Sequence, residues 1–317
     1  MDTAGNRSVP FFFQRATRLV RNTLAVLCLT SLPLSPQYLS DQQLGLTGLK
    51  AGSQPAPGLY VTLPLYYRAS SISFFDAQGT QVAKNATADL NVFVLPAIQF
   101  VTPLKVLGAT YGAGFLEWIS NGAIDQATLN LHRSTGFGFA DMYVSPLILG
   151  WHIQHADITA GYSFFAPVGP AGFHQWVNEI DFGTTVYPDS GKNWNLSTMM
   201  AYDFNRKKNN KDVEVGDVLT LSGGLGRSFK GGLVNAGAAY AAQWKVTHDS
   251  GSDIPGFLQV TNGRVFGVGP EVDAPVFTKG KYLGLVSFRY LWNVGPKTAL
   301  GAQLLTVSFT FARLGKV

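Results

Sequence analysis

The chain has 317 residues, of which 46% are hydrophobic and 14% charged, with a formal net charge of +5 at pH 7 and a single cysteine. The charged fraction lies far below the roughly one quarter usual for soluble domains, yet no run reaches the roughly 18–20 continuous apolar residues of a spanning helix, so a helical membrane protein is excluded. The lone Cys28 excludes a disulfide framework and a cysteine-based metal site.

Residues 1–40 stand apart in composition. Arg7, Arg15, Arg18 and Arg21 precede the apolar stretch NTLAVLCLTSLPL and the helix-breaking SPQYLS, the order of charges and apolar residues in a secretory signal peptide. Removing this segment takes away four basic residues and one acidic residue, Asp2; the 24 basic and 19 acidic residues become 20 and 18, and the charge falls to +2. A nucleic-acid partner thereby loses its electrostatic support. Residues 41–57 read as a short linker and 58–317 as one domain.

From Gly58 onward, segments of about 10–14 residues rich in Val, Tyr, Phe, Thr and Gly alternate with turn residues. Twelve strands are predicted, near 58–68, 90–101, 107–119, 137–150, 154–166, 176–187, 194–204, 215–228, 231–244, 263–273, 280–292 and 299–311. In AQLLTVSFTF, Leu305, Val307, Phe309 and Phe311 share one face, a period of two. The connections alternate long and short from 69–89 and TPLK through NRKKNNKDVE and FKG, with a moderate turn around APVFTK. Long external loops and short periplasmic turns are the pattern of an antiparallel up-and-down transmembrane β-barrel of a Gram-negative outer membrane, and an even strand number places both termini in the periplasm.

Trp118, Trp151, Trp176, Trp194, Trp244 and Trp292 all fall at predicted strand ends, as expected of a girdle of amphipathic rings at the membrane interfaces. Charges within the strands define the other face, because a charge facing lipid at the midplane costs about 2–4 kcal/mol for Arg or Lys and less for Asp, whereas a lumenal charge is hydrated. In GFGFADMYVSPLILGW, Asp141 is therefore assigned to the lumen, and parity carries Phe137, Phe139, Tyr143 and Ser145 with it, leaving Ile148 toward lipid. The same test places Tyr111, Phe115 and Glu117, Asp157 and Phe165, Glu179 and Asp181, Asp203, Glu271 and Arg289 inside. Such a lining serves either permeation of a small, partly aromatic solute or a plugged barrel in which Arg289 neutralises a neighbouring carboxylate.

Gly138, Asp141, Pro146, Leu149, Gly150 and Trp151, then YSFFAPVGP from Tyr162 and GRVFGVGPEV from Gly263, carry a resemblance that spans about Gly58 to Phe311. On these residues the chain resembles the outer-membrane proteins grouped as involved in the meta pathway of phenol degradation. The resemblance implies a secreted β-barrel, uptake of hydrophobic or aromatic compounds, and no catalytic residues. The sequence departs from the family pattern at Ala140, at Val168 and in the tail ARLGKV after the last aromatic, Phe311.

No catalytic or metal constellation emerges. His152 and His155 fall on opposite strand faces, neither Ser134 with His132 nor Ser163 with His155 sits in a nucleophile context, and LSGGLGRSFKGG lacks a phosphate-binding lysine and a following helix. The expectation is a non-enzymatic channel without cofactors. Its partners would be outer-membrane lipids, lipopolysaccharide, the barrel-assembly machinery and small hydrophobic or aromatic solutes. The alternative is a non-conducting barrel whose external loops bind a partner.

Overall fold

The computed structural model describes residues 44–82, 86–126, 131–134, 136–209, 211–229, 233–254 and 262–312; the signal segment proposed for 1–40 lies outside them. Fourteen strands run in chain order: β1 (Gly58–Phe75), β2 (Ala86–Val106), β3 (Ala109–Gln126), β4 (Leu131–Ser134), β5 (Gly138–Phe139), β6 (Met142–His152), β7 (Ala156–Ala166), β8 (Gln175–Val186), β9 (Trp194–Lys208), β10 (Val218–Phe229), β11 (Val234–Lys245), β12 (Arg264–Thr278), β13 (Lys281–Lys297) and β14 (Ala299–Phe311). The short β4 and β5 only extend β3 above the rim, pairing at Ala123↔Ser134 and Ile119↔Phe139. The remaining twelve are the staves of a barrel.

Every stave is antiparallel to its neighbours, and β1 pairs with both β2 and β14, at Tyr67↔Val92 and Tyr67↔Thr306, so the sheet closes on itself. Closure satisfies the backbone N–H and C=O groups that lipid cannot. Phe182, Leu196, Met200, Leu225, Val268, Val272 and Phe288 point outward and are exposed, while their neighbours Thr185, Asn195, Ser197, Thr220 and Glu271 are buried. This alternation follows from successive side chains pointing to opposite faces of a pleated strand, and it reverses the pattern of a water-soluble protein.

The staves are longer than the hydrophobic periodicity alone suggests. β1 reaches Phe75 and β2 starts at Ala86, which shortens the first outer loop, and Ala274–Thr278 of APVFTK is strand, leaving only Lys279 to the turn. The hairpins at Leu107–Gly108 and Lys279–Gly280 are two-residue turns with positive φ at both positions (51° and 78°, 47° and 75°), the geometry that matches the twist of the flanking strands.

The periplasmic turn between β8 and β9 depends on one carboxylate. Asp189 accepts hydrogen bonds from the backbone N–H of Asn193 (2.9 Å) and Trp194 (2.8 Å) and from Asn193 Nδ2 (2.9 Å). These donors hold its carboxyl below the usual range. A depressed folded-state value means that the stabilisation is present above the unfolded carboxylate range and is lost as pH falls through the folded value. The Trp194 amide is therefore expected to keep constant hydrogen-exchange protection from neutral pH down to the ordinary Asp range and to lose it only below. Asp189→Asn should remove most of that pH dependence.

Candidate functional site: the lumen and the segment that crosses it

The inner wall is divided. Along β14, β1, β2 and β3 it is mainly apolar: Leu304, Tyr67, Ala69, Val92, Val94 and Trp118 belong to one buried cluster, joined by Leu65, Leu116 and Leu300, that also takes in Leu44 and, from other staves, Val177, Ala239, Ala241, Val265 and Leu291. Phe165 on β7 extends it across the lumen, with ring centroids 6.5 Å from Trp118 in a stacked arrangement and 4.7 Å from Tyr143. From β6 to β13 polar side chains predominate on the wall. Ser145 and Ser163 share a hydrogen bond of 2.7 Å, Tyr143 Oη donates to Glu179 Oε1 (2.7 Å), and Asn195 Nδ2 donates to Asn235 Oδ1 (3.0 Å). Asp203 stands opposite Glu179 in the β8–β9 register.

Residues 44–57, expected as a linker, instead enter the barrel and cross this polar half. Arg289 and Glu271, paired in register on β13 and β12, form a two-pronged ion pair with both contacts at 2.7 Å. The pair then holds the crossing segment: Arg289 Nη1 donates to Gly45 O (2.6 Å), and Leu49 N donates to Glu271 Oε2 (3.0 Å). Ser197 Oγ on β9 donates to Gly48 O (2.9 Å), and Thr47 Oγ1 hydrogen-bonds Ser222 Oγ on β10. Farther along, Gly52 N donates to Thr185 Oγ1 (3.1 Å) and Ser53 Oγ to Asp157 Oδ2 (2.7 Å). Asp157 also accepts from Tyr187 Oη (2.7 Å) and bonds His152 Nδ1 (2.9 Å). Burial pushes the Tyr187 phenol up to about 12, so it stays a donor at neutral pH.

Small residues make the fit possible. A Cβ at Gly48 would lie 1.9 Å from Glu271 Oε2, and one at Gly52 would lie 2.2 Å from Thr184 N. On the wall, a Cβ at Gly150 would lie 2.2 Å from Gln54 Oε1 and one at Gly224 2.6 Å from Leu49 Cδ2. The segment and the wall touch backbone to side chain because neither carries a Cβ at these crossings.

The residues singled out from sequence divide into two groups. Asp141, Tyr143, Asp157, Phe165, Glu179, Asp181, Asp203, Glu271 and Arg289 lie on the inner side or buried against it. Asp141 stands between β5 and β6 at the outer rim, 3% exposed, and its Oδ2 accepts the backbone N–H of Phe173 (2.6 Å) and His174 (3.2 Å). It ties down the β7–β8 loop and lines no free passage. Tyr111, Phe115 and Glu117 alternate with Gly112, Leu116 and Trp118, which face the lumen, so they belong to the outer face. Phe137 and Phe139 are exposed, at 61% and 56%, because the break in the strand at Ala140–Asp141 shifts parity between β5 and β6. A bulge between Val144 and Leu147, at Pro146, turns Ile148 inward against Gly114. Of the tryptophans, Trp176, Trp194 and Trp292 are exposed on the outer face, Trp151 donates to Leu107 O at the periplasmic turn (3.0 Å) and Trp244 packs edge-on against Phe266. Trp118 is 5% exposed inside the barrel and is no girdle residue.

Among the described residues, no group of three or more His, Cys, Asp and Glu side chains could hold a metal ion. Two outer loops meet above the polar half: Gly216 N donates to Asp249 Oδ1 (2.8 Å), and Lys245 Nζ, whose side chain is fully buried, reaches the same oxygen at 2.5 Å.

The family described as "Putative MetA-pathway of phenol degradation" matches residues 73–311. Among solved structures, the chain is similar to the COG4313 outer membrane channel from Pseudomonas putida F1, at 13% identity over 84% of this chain and 99% of that one, with a TM-score of 0.68. The transport unit of the autotransporter AIDA-I from Escherichia coli follows at 9% identity over 86% and 94% with a TM-score of 0.47. No curated protein matches the sequence. The protein is an outer-membrane β-barrel.

Because Glu271 is buried, Arg289→Met leaves an uncompensated charge, and a loss of about 3–5 kcal/mol is expected in thermal or denaturant unfolding. Adding Glu271→Leu should recover much of it, with a coupling energy read from the double-mutant cycle. Asp141→Ala releases two backbone donors, and limited proteolysis should then cleave within 167–174 while the barrel core stays resistant.

Proposed function

The chain belongs to this phenol-degradation family, and from that premise we propose that it is an outer-membrane channel for passive uptake of small hydrophobic or aromatic compounds. The observation that carries the reading is the uneven lumen: the crossing segment hydrogen-bonds to the polar wall, and Trp118, Phe165 and Tyr143 belong to a continuous aromatic and aliphatic cluster against which the segment's own Leu44 and Leu46 pack. Such a surface holds a small aromatic solute by stacking and burial without requiring a charge. The crossing segment limits the water-filled cross-section, which restrains ions and large polar solutes. The carboxylates of Asp157, Glu179, Asp181 and Asp203 on the opposite wall favour cations over anions in whatever aqueous passage opens.

A second reading, a barrel that anchors partner-binding loops and conducts nothing, draws support from the hydrogen bonds that hold the segment across the lumen and from the joined outer loops. Planar-bilayer recording separates the two. Wild type should give small, cation-selective steps that phenols reduce, and Gly48→Leu, whose side chain cannot fit beside Glu271, should raise the unit conductance several-fold. If both proteins insert as folded barrels and neither conducts, the anchor reading replaces the channel.

A further inference from the structure

Two basic residues meet on the lipid-facing surface at the outer rim, and neither has an acid for a partner. Arg264 begins β12 and Lys297 ends β13, both beside outer loops, and they stand opposite each other in the ladder. A bulge makes that pairing. Just below, Phe266 faces Val294, and unbroken counting would set Arg264 against Pro296; the register shift brings Lys297 there instead. Like charges directly opposite on adjacent strands destabilise a sheet, and a bound anion would relieve the repulsion. Among the described residues neither side chain takes part in an ion pair. Asp217, which precedes β10, gives its carboxylate to β9, where it accepts Tyr202 Oη (3.3 Å) and the Asn205 N–H (3.0 Å).

The surroundings suit an amphiphile. Arg264 is exposed, and its guanidinium carbon lies 5.9 Å from the centre of the Phe266 ring, which Trp244 meets edge-on at 5.6 Å. Lys297 lays its stem against the loop between β1 and β2, where a Cβ at Gly79 would lie 3.7 Å from Lys297 Cγ. Beneath the two cations the outer face is apolar, with Val268, Trp292 and Val294 all exposed. Amphipathic rings of this kind mark the headgroup level, so the cations stand among lipid phosphates and the apolar strip lies along acyl chains. The inner rim is built differently. Arg227 there lies 5.4 Å over the Trp194 ring and 5.3 Å over Phe229, and its ladder partners are Trp194 and Ala236, so it is a single cation over aromatics.

We propose that Arg264 and Lys297 bind the phosphorylated head of lipid A, the membrane anchor of lipopolysaccharide, with its acyl chains lying along Val268, Trp292 and Val294. Charge selects this ligand: lipid A carries two phosphates on one disaccharide, whereas a phospholipid carries one, and the paired cations occur at the outer rim and not at the inner. The guanidinium takes phosphate oxygens through two parallel hydrogen bonds, and the ammonium adds a point charge. The site is independent of what the barrel conducts. It gives the bulge a purpose, because the like charges that weaken the empty ladder become the two arms of a clamp once the anion sits between them.

The test uses the whole chain, refolded in detergent free of lipopolysaccharide and titrated with lipid A, the bound lipid being counted by native mass spectrometry. Wild type is expected to bind lipid A more tightly than phosphatidylglycerol. Arg264→Gln with Lys297→Gln should weaken lipid A binding roughly thirtyfold, and each single change roughly fivefold, while the heat-dependent gel mobility of a folded barrel stays as in wild type. Arg227→Gln, at the inner rim, should leave lipid A affinity unchanged. A comparison on wild type alone needs no variant to fold: lipid A stripped of its phosphates should bind roughly tenfold more weakly or worse. Wild-type affinity in the folded double variant, or undiminished binding of the stripped lipid, overturns the site. Equal affinity of wild type for lipid A and phosphatidylglycerol overturns the choice of ligand in favour of any anionic lipid. Displacement of lipid A by millimolar inorganic phosphate overturns it in favour of the free anion.

Discussion

A chain that crosses a bilayer as strands has to satisfy every backbone donor and acceptor within itself, and that requirement fixes most of what is seen here. It explains why β1 pairs with β14 as well as β2, why the staves are long, and why the two-residue turns at Leu107–Gly108 and Lys279–Gly280 accept positive φ to keep the ladders running to their ends. It also gives weight to the places where pairing lapses. The lapse at Pro64 and Pro96 spans three ladders, and it falls on the apolar side of the lumen instead of the polar side, where water could have supplied the missing partners.

The interior is organised by a second constraint, the cost of a buried charge without a partner. Arg289 and Glu271 are nearly inaccessible to solvent, and their pairing in register on adjacent strands compensates both. Each still has hydrogen-bonding capacity left over, and the crossing segment uses it: Gly45 O accepts a hydrogen bond from Arg289, and Glu271 accepts one from the Leu49 N–H. The ion pair is thus both part of the wall and an anchor for what lies inside it. Asp157 has the same double role on the far wall, where Ser53, Tyr187 and His152 converge on one carboxylate. Glycines 48, 52, 150 and 224 let the two surfaces approach closely enough for these bonds to form.

Outside and inside then differ in what they ask of the solute. The outer face offers lipid a band of Leu, Val, Met and Phe, and the inner face offers an apolar wall facing a polar one. A uniformly polar lumen would pass ions and sugars by hydration. On the uptake proposed above, the mainly apolar wall is the side along which a solute with few hydrogen-bonding groups would pass.

Much of the architecture was legible in the chain because the strand period of two survives in sequence: Asp203 with Asn195, Glu179 with Asp181 and Arg289 with Ser287 each sort to the inner face on alternation alone. Alternation fails wherever a strand slips by one residue. Pro146 and the Ala140–Asp141 break shift parity on β6, which sends Phe139 outward and Ile148 inward. Glu117 misled the reading of β3, because a carboxylate was assumed to avoid the outer face, and Tyr111 and Phe115 were carried with it; Trp118 belongs to the inner cluster for the same reason. The sequence by itself determined the closed barrel, its strand number and the side on which most charges lie, since these follow from local periodicity and the energetics of lipid contact. Only the tertiary structure decided where the bulges fall, which wall is apolar, and that residues 44–57 lie within the lumen. Those depend on contacts between residues more than a hundred positions apart, such as Leu49 with Glu271 and Gly52 with Thr185, and no local pattern encodes them.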